Sequence, residues 1–297
     1  MQYPADMIID GKKIAEDIQQ EVKTAVAAIR GRRPCLAVVL VGDHAPSRIY
    51  VNRKAEACEA VGIRSIKRYL PENISEQKLL NEIELLNQDP DVDGILVQLP
   101  LPGHLNPTQI TLSINPDKDV DGFHPLNVGK MLIGESDGFL PCTPLGIQVL
   151  MERSGIDVTN KHILIIGRSN IVGKPMAALL MQKRANNNST VTIVHRECPY
   201  IKTLAHHADI IIIAIGQPRF LKADMIKKGA VVIDVGINKV PDPSKKSGYA
   251  IVGDVDFEEV QHKCSYITPV PGGVGPVTIA MLLKNTLQSY EAAKKRN

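Results

Sequence analysis

Short runs of β-branched and aliphatic residues alternate along this chain with stretches whose apolar positions recur every three to four residues. In the first half, Leu36–Val41, Ser65–Tyr69 and Gly94–Gln98 read as strands. Gly11–Arg30, Ser47–Val61 and Ser75–Gln88 read as the helices around them. The second half repeats the habit with strands at His162–Ile166, Thr190–Val194, Ile210–Ile215, Val231–Val235 and Ala250–Val252. Nearly all these runs are apolar throughout rather than alternating, as expected for parallel strands covered by helices on both faces. Strand–helix alternation implies right-handed βαβ units and an α/β fold.

One stretch breaks the rhythm. Asn115–Pro144 is rich in proline and glycine and reads as a loop-rich connection carrying a short helix. At its end, Thr143-Pro144 reads as an N-cap followed by proline at the first helical position, opening a helix to about Ser154. Val277–Arg296 is helical in pattern and ends in a solvated basic run.

Composition mainly excludes. With 297 residues, 44% of them hydrophobic, the chain is long enough for about two domains. A net charge of +3 favours an anionic small molecule but is too slight for nucleic acid, and no interleaved aromatic and basic stretch is present. Cys35, Cys58, Cys142, Cys198 and Cys264 are odd in number and widely spaced, which fits reduced thiols in the cytoplasm and neither a disulfide framework nor a zinc site. The first residues show no secretory leader pattern, and no apolar run is long enough to cross a bilayer.

Three places carry candidate chemistry. The first is the strand His162–Ile166, which runs into Gly167-Arg168-Ser169-Asn170-Ile171-Val172-Gly173-Lys174-Pro175 and then a helix. A tight turn feeding a helix offers free amides and the positive end of the helix dipole, both suited to a pyrophosphate. The glycines are six apart, so the G-x-G-x-x-G dinucleotide fingerprint is not matched. The next strand ends in His195-Arg196 instead of the acidic residue that binds a ribose diol. With Arg168 upstream, this favours a 2′-phosphate and hence NADP over NAD, while Glu197 argues the other way.

The second place is Tyr50-x-x-x-Lys54, whose spacing puts a phenol and an amine on one helix face. A solvated helix lysine fits the same spacing, so the motif alone decides nothing. Gln98 falls at the carboxyl end of an apolar strand, where ligands gather in open α/β sheets, but a structural amide fits there too. Asp117-Lys118-Asp119-Val120-Asp121-Gly122 has calcium-loop spacing without the closing glutamate, so no metal site is expected. The third is Thr268–Thr278, with three prolines and three glycines in eleven residues, rigid at some positions and open to close ligand approach at others.

Taken in order, Tyr50-x-x-x-Lys54, Val97-Gln98-Leu99-Pro100-Leu101-Pro102, Asp117–Gly122, Gly167-Arg168-Ser169 with Val172-Gly173-x-Pro175, and Pro271–Pro276 resemble the bifunctional methylenetetrahydrofolate dehydrogenase/methenyltetrahydrofolate cyclohydrolase family. The resemblance covers the whole chain and shows no formate ligase domain. It implies oxidation of 5,10-methylenetetrahydrofolate with NADP, then hydrolysis to 10-formyltetrahydrofolate, by a homodimer. It also implies two α/β domains: a folate domain at 1–143 that takes back the helix 275–297, and a Rossmann-like parallel-sheet NADP domain at 144–274.

Residue roles follow from the same resemblance. Lys54 would be the cyclohydrolase catalytic residue, with Gln98 holding and tuning it. Tyr50 would lie against the folate ring, and Asp121 would accept from the amino-pyrimidinone edge. Val51, Asn52, Arg53, Val97, Leu99 and the loop Pro271, Gly272, Gly273, Val274 and Gly275 complete the substrate set. Gly167, Arg168, Ser169, His195, Arg196 and Ile237 would hold NADP. A dehydrogenase without cyclohydrolase activity and a protein that senses NADP without turnover are the alternatives. The joint presence of Tyr50, Lys54 and Gln98 argues against the first, and a sensor would not need the full Lys54–Gln98–Asp121 set.

Overall fold

In the computed structural model, residues 7–245 and 247–296 are described, apart from the side chains of Ala45 and Pro46. The first six residues, on which the leader reading partly rests, lie outside them. Helices α1 (Gly11–Ala27), α2 (Ala45–Val61), α3 (Glu76–Gln88), α4 (Pro107–Ser113) and α5 (Pro125–Ile133) accompany strands β1 (Cys35–Val41), β2 (Arg64–Leu70) and β3 (Gly94–Val97). Then come α6 (Cys142–Arg153), β4 (His162–Ile166), α7 (Gly173–Leu180), β5 (Thr190–Val194), α8 (Ile201–His207), β6 (Ile210–Ile213) and β7 (Val231–Asp234). The chain ends with β8 (Asn238–Pro241), β9 (Tyr249–Val252), α9 (Phe257–Val260), β10 (Tyr266–Ile267) and α10 (Val274–Arg296).

These elements form two compact units. One comprises Glu16–Cys142 with the described residues from Ile279 on; the other comprises the described residues of Thr143–Thr278 with those up to Ala15. The first unit, called here the discontinuous unit, holds a parallel sheet in the order β2-β1-β3. Central β1 is buried at every position, whereas edge strand β2 reads Arg-Ser-Ile-Lys-Arg-Tyr-Leu and is largely exposed. Cys35, Ala37, Val39 and Val41 pack with Leu79, Ile83 and Leu86 of α3 in one core. Ser75 caps α3 by accepting from the Lys78 amide. The last helix is bound into this unit by its polar face: Asn285 Nδ2 donates to the carbonyls of Val120 and Leu140, and Ser289 Oγ to those of Asp93 and Asp117.

The second unit, the inserted unit, holds a five-stranded parallel sheet in the order β10-β7-β6-β4-β5. β5 lies on one side of β4, and β6 and β7 on the other, so the winding reverses at the carboxyl ends of β4 and β6. Ligands bind at such a switch point in open α/β sheets. Leu164, Ile166, Ile211, Ile213 and Val232 pack with Ile201 and Ala205 of α8.

Two sequence expectations change. Ala250–Val252 lies in an antiparallel hairpin with β8, outside the parallel sheet. Thr143 is not an N-cap, because α6 starts at Cys142; its hydroxyl instead accepts from that of Thr278, 3.2 Å away.

Candidate active site

In the discontinuous unit, α2 and the end of β3 bring two of the sequence candidates together. Lys54 Nζ donates to Gln98 Oε1 at 3.0 Å. Gln98 is itself held: its amide N–H bonds the Val39 carbonyl at 2.9 Å, and its Nε2 bonds the Leu99 carbonyl at 2.8 Å. The glutamine therefore presents its oxygen to the lysine in one orientation. Lys54, Gln98, Leu99, Tyr50 and Asp121 are half-buried and keep contact with solvent, whereas Val51 and Val97 are buried. Asn52 and Arg53 are exposed on α2, and Asn52 Oδ1 accepts from the Tyr69 hydroxyl at 3.3 Å. The Leu99–Pro100 peptide bond is cis.

Electrostatics link Asp121 to the lysine. Burial pushes the Asp121 carboxyl up, and the Lys54 ammonium and the Cys142 thiol draw it back. Burial likewise raises the Tyr50 phenol, against a smaller lowering by Arg53. Sequence reasoning missed Cys142. This buried thiol bonds the Val120 carbonyl at 3.3 Å, and burial first, then Asp121, pushes it well above its ordinary range. The only sign of it in the sequence was a cysteine beside a loop-rich stretch. An open concavity lined by Arg32, Arg33, Glu59, Arg64 and Asp91 lies at the other, amino-terminal end of the strands. Its Arg32 is spent on Asp93 in a two-bond pair, at 2.7 and 2.8 Å.

In the inserted unit, the turn after β4 is closed on itself. Val172 N donates to Ser169 Oγ and Lys174 N to the Ser169 carbonyl, both at 3.1 Å. Gly167 has φ +128°, and a Cβ there would stand 2.3 Å from the Ala214 carbonyl oxygen; one on Gly173 would stand 2.0 Å from the Gly167 oxygen. Among the described residues, the amides of Arg168, Ser169, Asn170 and Ile171 have no acceptor. Arg168 and Ser169 are exposed at this turn. At the end of β5, His195 is half-buried and Arg196 exposed, with Glu197 3.6 Å from Arg196. Free amides at a helix entry, a backbone compressed by glycine and two exposed guanidiniums fit a phosphorylated dinucleotide. Ile237, half exposed, follows β7.

The proline–glycine segment is also in the inserted unit. Val270–Pro271 is cis, and Gly272 has φ +109°. Gly273 and Val274 are buried, Gly275 is half-buried, and Pro271 is exposed. A Cβ on Gly11 would stand 1.9 Å from the Gly273 oxygen, so the start of α1 fixes this loop. Among the described residues no group of His, Cys, Asp and Glu could hold a metal, and no helix is long and apolar enough to cross a membrane.

Residues 9–121 match the family model for the tetrahydrofolate dehydrogenase/cyclohydrolase catalytic domain, and residues 141–294 that for its NAD(P)-binding domain. The chain is 64% identical over 291 residues to the bifunctional protein FolD of Protochlamydia amoebophila (strain UWE25), covering 98% of this chain and 100% of that one. It is similar to the solved structure of the bifunctional methylenetetrahydrofolate dehydrogenase/cyclohydrolase FolD from Campylobacter jejuni, with 50% identity, 98% and 99% coverage and a TM-score of 0.91. The enzyme of the same name from Trypanosoma brucei, solved with NADP cofactor and inhibitor, is 40% identical at a TM-score of 0.93, with 99% and 100% coverage.

Proposed function

Because this chain belongs to the tetrahydrofolate dehydrogenase/cyclohydrolase family, we propose that Lys54, Gln98 and Asp121 form its reaction centre. The protein is bifunctional. It oxidises 5,10-methylenetetrahydrofolate to the 5,10-methenyl compound with NADP, then hydrolyses that to 10-formyltetrahydrofolate. Bound NADP supplies the hydride acceptor. The turn Gly167–Ser169 with Arg168, His195, Arg196 and Ile237 is the cofactor set we assign.

The observation that carries the reading is the Lys54–Gln98 hydrogen bond beside Asp121. Asp121 accepts from the amino-pyrimidinone edge of the pterin, and Tyr50 lies against the ring, which fixes the one-carbon unit relative to Lys54. In the oxidation these residues chiefly orient the substrate. In the hydrolysis, water adds to the methenyl carbon, a C–O bond forms, one carbon–nitrogen bond breaks and a net proton is released. Lys54 carries the proton transfers, and Gln98 keeps its amine aimed at the reacting carbon. The loop Pro271–Gly275 contributes further folate contacts. We also assign the protein to the cytoplasm, in keeping with its unpaired cysteines, as a homodimer.

The test is incubation with methylenetetrahydrofolate and each nicotinamide cofactor in turn, following reduced nicotinamide and the methenyl chromophore by absorbance. NADP reduction followed by decay of the methenyl signal faster than its spontaneous rate is expected. Reduction with spontaneous decay only would mean a monofunctional dehydrogenase, and NADP binding without reduction a sensor.

A further inference from the structure

The inserted unit holds a pair of carboxylates that the reaction does not use. Asp234, at the end of β7, and Asp254, just after β9, are 3% and 0% exposed. Asp254 Oδ2 accepts from the amides of Ile215 at 2.7 Å and Gly216 at 2.9 Å, and its Oδ1 from Asn238 Nδ2 at 2.8 Å. Asp234 Oδ1 accepts from the amides of Gly236 and Asp254, and its Oδ2 from that of Val255, all at 2.9 Å. Six N–H groups thus converge on two acids, and no lysine or arginine pairs with either among the described residues. The backbone is cut to fit. A Cβ on Gly236 would stand 2.3 Å from Asp254 Oδ1, and one on Gly253 would stand 1.8 Å from Asp234 Oδ2.

The place of this clasp gives it a purpose. Ala214–Gly216 continues β6 at the reversal of strand order, directly against Gly167 of the phosphate turn, as the 2.3 Å approach to the Ala214 oxygen requires. One side of the nucleotide crevice is therefore the Gly167 turn, and the other is backbone whose amides are committed to Asp254. The loop that follows is strapped to the same spot: Arg219 N bonds the Gly253 carbonyl at 3.1 Å, and Leu221 N that of Asp254 at 3.0 Å. Asn238, the third partner, adjoins Ile237. Asp234 in turn fixes Asp254 through its backbone amide.

We propose that Asp254 is a positioning residue of the NADP site, a buried acid that sets the β6 wall of the crevice and the Ile237–Asn238 segment before the dinucleotide arrives. The proposal rests on the NADP-dependent reading above. Its action is through backbone, so it should govern dinucleotide affinity more than the chemistry at Lys54.

The experiment is direct titration of NADP into the purified protein by calorimetry, for wild type, Asp254→Asn, Asp254→Ala and Asn238→Ala, with thermal melting of each. Hydrolysis of methenyltetrahydrofolate without added NADP gives the reference for a correctly folded Lys54 site. Loss of charge-assisted bonds predicts a Kd raised about tenfold or more in Asp254→Ala and less in Asp254→Asn, where one oxygen can still serve the two amides. Asn238→Ala, which removes a single donor, should raise Kd by about two- to five-fold and covers the case in which Asp254→Ala does not fold. Melting temperatures that fall while every Kd stays at the wild-type value would make the clasp purely structural and overturn the proposal. A wild-type protein that does not bind NADP would overturn the functional reading itself.

Discussion

Replacing Lys54 with methionine isolates the amine. Methionine keeps the length of the side chain and a comparable helix propensity, so α2 should persist. The structural loss is small and can be itemised. One hydrogen bond disappears, the 3.0 Å bond to Gln98, while Gln98 keeps its two ties to the Val39 and Leu99 carbonyls. That change should cost about 1 kcal/mol, a minor part of a typical folding free energy of about 5–15 kcal/mol. The chemical loss is much larger. Removal of one general acid–base group costs ~10²–10⁴ in rate, or about 3–5 kcal/mol of barrier. A second effect follows from Asp121, whose carboxyl is raised by burial and lowered by Lys54. Without the ammonium it rises further. Dehydrogenase activity should drop as well, though less than hydrolysis, because the same amine helps to orient the substrate. The assay is decay of methenyltetrahydrofolate above its spontaneous rate, beside calorimetric NADP binding as the check on folding. Wild-type hydrolysis by the variant would show Lys54 to be an ordinary surface lysine and would refute the mechanism.

Two further outcomes are expected. Joint Arg168→Ala and Arg196→Ala should weaken NADP far more than NAD in parallel titrations, since only the 2′-phosphate needs the guanidiniums; equal losses would remove these residues from 2′-phosphate recognition. Asp119 is buried, and burial lifts its carboxyl to about 6 against bonds from Asn127 and the His124 and Phe123 amides that lower it. Because the folded-state value is raised, the unfolded chain ionises first, so this contribution is full below about pH 4 and is lost as pH rises to about 6. A carboxyl raised from 3.8 to about 6 corresponds to about 3 kcal/mol. Asp119→Asn should flatten that fall in denaturation midpoints across the window; an unchanged slope would contradict the assignment.

What was legible in the sequence follows burial. His162–Ile166 is read to the residue because sheet burial writes itself as an apolar run, and Thr190–Val194, a largely uncovered edge strand, because its residues are β-branched throughout. Asn238–Pro241 and Tyr266–Ile267 escaped notice, the first because an exposed hairpin strand alternates with polar residues, the second because two residues carry no period. Lys54 and Gln98 are 44 positions apart, and no local pattern joins them; the ordered set of motifs did so through resemblance. Asp254 had no signal at all. Beside Gly253 it reads as a turn, and a carboxylate buried by backbone amides looks in sequence like any solvated acid.

The order of assembly on the ribosome is set by the helix that ends the chain. Asn285 and Ser289 close bonds to carbonyls at Val120, Leu140, Asp93 and Asp117, partners made some 145–196 positions earlier. The Lys54–Gln98 half of the protein therefore waits, with its last helix missing, while all of Thr143–Thr278 is synthesised. At translation rates of about 5–20 residues per second, that wait lasts roughly seven to twenty-seven seconds. The inserted segment has all its sheet strands in hand by then and is free to fold first. A nascent chain stalled before Ile279 should carry a folded NAD(P)-binding half and a catalytic half still missing its last helix, so the discontinuous unit is the one left incomplete for longer during synthesis.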